Sequence, residues 1–256
     1  MHQMDLTEGV IWKKLILYAG PVVLSSLLQS AYSITDLIVA GWFIGKDGIS
    51  AINNASQVMM ILTQIIMGIT TGGNILMGQY FGSKDRSNRV KTNRTMFGFA
   101  LSAGALLSVL LFLLSRPILA ALRAPALEEA TAYLQVCSAG LIAIFGYNAL
   151  AAMLRSVGNS KQPFYCVAVT AGCNIALDCL FMGGFRWGVR GAALATVLAQ
   201  WASFVVCLVY VLRHRDLFGL VRRQISFHKD KMVQILKLGI PCAVQMTVVG
   251  LSWLAM

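Results

Sequence analysis

Long apolar runs separated by short polar segments dominate the hydrophobic pattern of this 256-residue chain. A helix needs about 20 apolar residues to cross the hydrocarbon core of a bilayer. The predicted spans lie at 15–40, 51–79, 95–114, 130–153, 164–182, 191–212 and 235–256. Because these runs lack the two-residue alternation of membrane strands, the pattern predicts an all-α membrane protein. We expect a bundle of six complete transmembrane helices and a seventh helix that is cut short at Met256.

The composition also argues against a soluble domain. Hydrophobic residues make up 57% of the chain and charged residues only 12%, whereas soluble domains are about one quarter charged. The net charge of +11 comes from basic residues in short segments between the spans, so we expect no nucleic-acid partner. The six cysteines lie inside apolar runs without a CxxC pair, which is typical of small buried side chains.

The distribution of Lys and Arg predicts the orientation of the spans. If the N-terminus is inside, 16 of the 21 basic residues lie on the cytoplasmic side. Cytoplasmic loops of membrane proteins are enriched in these residues, so we expect a cytoplasmic N-terminus. No small-residue cleavage site follows the first apolar run, which is therefore predicted to remain as the first span.

A weak internal repeat suggests how the chain is divided. Leu17–Val22 and Lys237–Cys242 each place a proline about one turn into a span after a basic flank. Six spans separate the two copies, so both run in the same direction and the repeat is parallel. The predicted domains are a six-helix lobe at 1–212, a cytoplasmic linker at 213–231 and the truncated first helix of a second lobe at 232–256.

Two acidic residues, Asp36 and Asp178, lie inside complete spans, near their outer ends. An acid in the membrane costs about 2.5–3.5 kcal/mol on insertion scales, and no Lys or Arg lies within the six complete spans to offset this cost. The missing partner is then a proton or a metal cation. The alternative is that each carboxylate extends to the headgroup region.

Polar side chains recur at helical spacing in four of the spans. The stripes contain Ser25, Gln29, Tyr32 or Ser33, and Asp36; Asn53, Gln57 and Gln64; Thr170, Asn174 and Asp178; and Thr196 and Gln200. Because polar faces avoid lipid, we expect these stripes to converge on an interior, water-accessible cavity. Oxygens of Asp178, Asn174 and Thr196 suit Na⁺, whereas the two carboxylates could instead take up protons as a coupled pair.

Pro21 removes a backbone hydrogen-bond donor within the first span. This proline is either a static kink or a hinge that responds to the charge state of Asp36.

Several blocks along the chain carry a family resemblance. They are Asp5–Gly9, Ile11–Lys14, Pro21, Tyr32–Asp36 before Gly41, Gly78–Asp85, Tyr147–Asn148, Leu154–Pro163, Asn174, Asp178 and Gly188–Thr196. In order and spacing these blocks resemble multidrug and toxic compound extrusion (MATE) transporters, in the branch related to the DNA-damage-inducible F protein.

The resemblance implies a twelve-helix protein of two six-helix lobes in a bacterial inner membrane. Such a protein would export cationic or amphipathic compounds in exchange for Na⁺ or H⁺, without a further cofactor, and its partners would be lipids and the second lobe that this sequence lacks. The implied cation-site residues are Asp36, Asn174, Asp178, Thr196 and Asn148. We expect the substrate cavity to include Gln29, Tyr32, Asn53, Gln57, Gln64 and Gln200.

Two other functions fit parts of the pattern. A flippase for lipid-linked sugars would share the fold, but binding a pyrophosphate favours cationic side chains, which the spans lack. Intramembrane aspartic proteases also use two aspartates, but in Tyr-Asp and Gly-x-Gly-Asp contexts, unlike Thr35-Asp36 and Leu177-Asp178. We therefore expect a transporter and not an enzyme.

Overall fold

A computed structural model describes residues 11–218 and 227–254, and within these ranges the chain is helical, without β-strands. The helices are α1 (Ile11–Phe43), α2 (Gly45–Gly82), α3 (Arg86–Ala121), α4 (Leu127–Ser138), α5 (Leu141–Ser156), α6 (Lys161–Asp178), α7 (Gly188–Arg213), α8 (Arg215–Phe218) and α9 (Lys229–Leu254). A π-helical turn, Cys179–Gly184, directly continues α6.

Six of these helices are long and apolar enough to cross a membrane, and the bent pair α4 and α5 passes the same test when it is taken as one span. The predicted all-α membrane fold is therefore confirmed among the described residues. Several helices are longer than the apolar runs that predicted them, since α2 has 38 residues and α3 has 36. A helix of that length extends beyond the hydrocarbon core, so its polar ends lie at or past the headgroups.

The span predicted at 130–153 consists of two helices, α4 and α5, which meet at an angle of 47°. At this break Gly140 packs against α7, where an added Cβ would lie 3.1 Å from Oε1 of Gln200. The carbonyl of Ala139 instead accepts a 3.3 Å hydrogen bond from the indole nitrogen of Trp201. Contacts with α7 therefore replace part of the hydrogen bonding that a continuous helix would supply.

Helix α5 forms the centre of the bundle. Most of its side chains from Leu141 to Leu154 are buried, and it packs against α2, α3 and α7. By contrast, α1 is peripheral, since Val39 and Ala40 are its only fully buried residues among those whose side chains are described. Most of the packing of α1 against the bundle therefore lies at the predicted outer end of this helix.

Helix α9 packs along α2 in the antiparallel direction, as the predicted orientation of the two spans requires. Gly68 of α2 lies against Ala243 of α9, and Gly72 lies against Gly239. An added Cβ on Gly239 would lie only 2.7 Å from Cα of Ile69, so the two backbones are in contact. Small residues permit this close approach, which is typical of helix pairs in membranes.

Hydrogen bonds connect residues near both ends of the predicted linker to the rest of the bundle. The side-chain amide of Asn93 donates a 2.8 Å hydrogen bond to the carbonyl of Phe218. At the end of the linker, Lys231 donates a 2.8 Å hydrogen bond to the hydroxyl of Tyr80. The centre of the linker, 219–226, and the first block of the resemblance, within 1–10, lie outside the described residues.

Candidate cation-coupling site

Asp36 lies on the face of α1 that packs against the rest of the bundle. Residues three, four and seven positions apart share one face of a helix, and this face includes the buried side chains of Val39 and Ala40. The carboxylate of Asp36 lies on this same face, towards the bundle. Its Oδ1 is buried and accepts no hydrogen bond from the described residues.

Asp178 is the last residue of α6 and has no exposed surface. The π-helical turn Cys179–Gly184 begins directly after it. Neither Oδ1 nor Oδ2 of Asp178 accepts a hydrogen bond from the described residues. A buried ionised carboxylate without a donor or a cationic partner is costly, so this group favours a bound proton or a bound cation.

The carboxyl groups of Asp36 and Asp178 lie within electrostatic range of each other across the contact between α1 and α6. Two negative charges 4 Å apart repel by about 4 kcal/mol at an effective dielectric constant of about 20. The pair is therefore most stable when a shared proton or a bound cation compensates at least one charge. This arrangement can couple ion binding to the relative position of two helices.

Two neutral polar residues lie beside the pair. Asn174, one turn before Asp178 on α6, donates a 3.5 Å hydrogen bond to Oγ1 of Thr196 on α7. The threonine hydroxyl in turn donates to the carbonyl of Ala192 at 3.1 Å. Oδ1 of Asn174 is buried and accepts no hydrogen bond from the described residues. Carboxylate, amide and hydroxyl oxygens are thus available to a hard cation.

Three other residues predicted for the site or the hinge, Asn148, Tyr32 and Pro21, differ in their surroundings. Asn148 is buried and donates a 2.8 Å hydrogen bond to the carbonyl of Ile144 in its own helix. Tyr32 is partly buried and lies within electrostatic range of Asp36. Pro21 lies inside a continuous α1.

The remaining predicted cavity residues do not form one cluster around the carboxylates. Gln29 and Asn53 are exposed, and Gln57 is partly buried. Gln64 lies beside Gly250 of α9, whereas Gln200 lies beside Gly140 at the break between α4 and α5.

The structure adds residues of α4 that the polar periodicity did not single out. Tyr133 and Cys137 are buried within electrostatic range of Asp36, and the Tyr133 hydroxyl interacts with Ser56 of α2. The small residues Ser138, Ala139 and Gly140, inside an apolar run, are the sequence feature that could have indicated the break near these side chains.

The sequence profile of the MatE family matches residues 21–180, which include both carboxylates. The chain belongs to this family. The probable multidrug resistance protein YoeA of Bacillus subtilis is 30% identical over 254 residues, covering 96% of this chain and 55% of that protein. The multidrug export protein MepA of Staphylococcus aureus is 23% identical over 255 residues, covering 97% of this chain and 56% of that protein. This MatE chain therefore spans about half the length of the curated relatives it matches.

Solved MATE structures have the same fold. An outward-facing multidrug resistance MATE transporter of the MOP superfamily superposes with a TM-score of 0.88 at 21% identity, over 96% of this chain and 55% of that one. A MATE structure in complex with MaD3S gives a TM-score of 0.89 at 21% identity, over 96% of this chain and 56% of that one. The helices of the MatE chain are thus arranged as in about half of such a transporter.

Proposed function

We propose that this chain forms the ion-coupling lobe of a multidrug efflux antiporter in a bacterial inner membrane, with its N-terminus in the cytoplasm. The complete protein would export cationic or amphipathic compounds in exchange for Na⁺ or H⁺. One observation carries the proposal: two carboxylates on different helices lie within electrostatic range of each other, and three of their oxygens are buried and accept no hydrogen bond from the described residues.

Ion binding would act through the charge of this pair. With no ion bound, repulsion between two carboxylates favours a conformation in which α1 and α6 separate or admit water. A proton or Na⁺ removes that repulsion and stabilises the packed arrangement. Asn174 and Thr196 would supply neutral oxygens to Na⁺, whereas a proton would need only the two carboxylates.

Helix α1 is suited to be the element that moves. Its middle part exposes Val23, Leu24 and Leu27, each more than half exposed, so bending there would break little packing within the lobe. Towards the predicted cytoplasmic end, the hydroxyl of Tyr18 donates a 3.2 Å hydrogen bond to the carbonyl of Arg155. Pro21 lies between these regions and would serve as the hinge, because proline interrupts the backbone hydrogen bonding of the helix.

The proposed substrates rest on the functions for which the relatives are named and on the exposed polar residues. MepA is named a multidrug export protein. Gln29 and Asn53 are exposed in this lobe and would line a cleft towards a second lobe. Such a cleft, together with Tyr32, Gln57, Gln64 and Gln200, would accommodate an amphipathic compound next to the carboxylates.

Flux in membrane vesicles tests this function. Residues 1–256, completed with the remaining five helices of a second lobe of the same family, would be reconstituted with a fluorescent organic cation, and a Na⁺ gradient or a pH gradient would be imposed separately. We expect one of the two gradients to drive dye transport. Transport that responds to neither gradient would contradict antiport, and the gradient that works identifies the coupling ion.

A further inference from the structure

The π-helical turn after Asp178 is wedged between the end of α1 and the start of α7. On the α1 side, Gly183 faces the ring of Phe43, and an added Cβ would lie 2.8 Å from Cζ and 3.2 Å from Cε1. Carbon atoms in contact are normally 3.5–4.0 Å apart, so the ring occupies the space that a side chain at position 183 would need. The Phe43 ring, which is 51% exposed, therefore occupies its present position against the turn because residue 183 has no side chain.

On its other side the turn rests against α7. The backbone N–H of Trp187 donates a 2.9 Å hydrogen bond to the carbonyl of Phe181, and the rings of these two residues stack with their centroids 5.2 Å apart. Gly191 packs closely on the same carbonyl, where an added Cβ would lie 3.2 Å from the oxygen. The turn is thus supported by α7, so a larger residue at position 183 would press on the Phe43 side chain at the end of α1 rather than on the turn.

The contact between Gly183 and Phe43 belongs to the same interface as the two carboxylates. Phe43 is seven residues after Asp36 and so lies on the same face of α1, about 10 Å further along the helix. Gly183 is five residues after Asp178. The buried residues Val39 and Ala40 lie between the carboxylates and this contact along the interface.

We propose that Gly183 and Phe43 are positioning residues that set the separation between the carboxyl groups of Asp36 and Asp178. The proposal rests on the proposed function for its consequence in transport, but the geometric claim stands independently. π-helical turns occur frequently at functional sites. Here the turn begins directly after Asp178 and presents Gly183 to the end of α1, so that α1 packs closely on the element that continues α6.

A disulfide-trapping experiment measures this separation without any assumption about the ion. Asp36→Cys and Asp178→Cys would be combined in the 256-residue chain, with Cys137, Cys173, Cys179 and Cys242 replaced by alanine. The native buried pair Cys166 and Cys207, whose thiols interact, stays as an internal reference for the contact between α6 and α7. Oxidation by copper phenanthroline in membranes, followed by mass spectrometry of peptides, gives the rate for each pair.

Gly183→Leu should slow formation of the 36–178 disulfide about tenfold, since overpacking a contact costs enough to change an equilibrium by that factor. Gly184→Leu is the matched control, because an added Cβ there meets only Cδ1 of Leu180 at an ordinary 3.7 Å. Phe43→Ala added to Gly183→Leu should restore the rate, and the reference pair should not change. Equal rates in Gly183→Leu and Gly184→Leu, or failure of Phe43→Ala to rescue, would overturn the proposal.

The consequence for transport is tested with both aspartates intact in the two-lobe protein. Gly183→Leu should raise the concentration of coupling ion needed for half-maximal efflux several-fold, and Phe43→Ala should reverse this shift. A change in disulfide rate without any change in ion dependence would overturn the transport role of the positioning residues. If the unsubstituted protein shows no ion-driven efflux while the disulfide series behaves as expected, the proposed function fails and the positioning claim remains.

Discussion

Buried carboxylates in proteins are normally hydrogen-bonded or paired with a cation, because desolvation of the charge is costly. Oδ1 of Asp36 and both carboxylate oxygens of Asp178 lack donors among the described residues, and the two groups lie within electrostatic range of each other. We therefore expect single substitutions at these two aspartates to have a large effect on ion-driven transport.

Replacing either carboxylate by its amide tests whether charge at the pair drives transport. In the two-lobe protein, Asp36→Asn and Asp178→Asn should each abolish ion-driven efflux and leave membrane insertion intact, since a neutral side chain lowers the insertion cost. Asn174→Ala should weaken ion affinity by only about two- to tenfold, because it removes one neutral ligand. Gradient-driven dye efflux and the amount of protein in the membrane are the measurements. Normal pumping by both aspartate variants would mean that the carboxylates are structural.

Asp85, at the N-terminus of α3, offers a test of pH dependence outside the membrane-spanning segments. The backbone N–H of Asn88 donates a 3.0 Å hydrogen bond to its carboxylate, and these bonds from Asn88 lower the pKa of Asp85 below 3.8. A lowered folded-state pKa stabilises the fold above pH 3.8, and this contribution is lost as the pH falls through the lower folded-state value. Thermal unfolding in detergent should show wild type more stable than Asp85→Ala at pH 7, with the difference shrinking below pH 3.8. A constant difference across this range would refute the carboxylate cap.

The sequence contained enough information to find the main polar residues. Asp36, Asn174, Asp178 and Thr196 follow from helical periodicity and from the cost of polar groups in lipid, and the structure places them at neighbouring positions on three helices. Tyr133 was missed because an isolated tyrosine in an apolar run has no periodic partner. Its proximity to Asp36 arises from packing between helices that are distant in the sequence.

At the scale of helices, hydropathy predicted where the spans lie but not where they depart from the α-helix. The length of a span is set by the thickness of the bilayer, and this constraint applies to every membrane-spanning segment in the same way. The break at Ala139–Gly140 and the π-helical turn Cys179–Gly184 instead depend on contacts with α7 and α1. Such tertiary contacts leave only weak marks in a single sequence.

The packing of α9 on α2 predicts an effect of glycine substitutions at their crossing. Gly239→Leu should separate the two helices, since the backbones are already in contact there. Gly20→Leu is the control, because no atom lies within 4 Å of an added Cβ at that position. Hydrogen exchange of the peptide covering 60–75 should accelerate in Gly239→Leu and stay unchanged in Gly20→Leu. Unaltered exchange in both variants would show that α9 does not pack here in the membrane.

At the scale of the whole molecule, the distribution of basic residues predicts the orientation in the membrane. Single cysteines at Ser87, Lys46 and Arg186, in a cysteine-free background, would be labelled with a membrane-impermeant maleimide in intact cells. We expect Lys46→Cys and Arg186→Cys to be labelled from outside and Ser87→Cys only after the membrane is opened. Labelling of Ser87→Cys in intact cells would contradict a cytoplasmic N-terminus.

The length of the chain predicts that it does not transport by itself. Alternating access in repeat transporters requires one bundle to move against another around a central site. The described residues contain six helices that could cross a membrane and the bent pair α4 and α5, which matches one bundle and the start of another in our domain prediction, so we expect insertion into membranes and ion binding but no export. Drug resistance of a sensitive host is the measurement, with the two-lobe protein as positive control. Resistance conferred by residues 1–256 without any second-lobe polypeptide would contradict this prediction.

The close packing of α9 on α2 also has a consequence for biosynthesis. Membrane helices leave the ribosome in chain order, and α9 is the first span to follow the polar linker. Because Gly239 and Ala243 fit against a helix that has already been inserted, α9 can settle on the finished bundle before any later helix is made. The opposite side of α9, where Val233, Ile240 and Val244 are exposed, then faces the lipid as an apolar surface. The direction of this surface is fixed by the packing of α9 on α2. A nascent second bundle would thus begin assembly on a helix whose tilt and depth the first bundle has already determined.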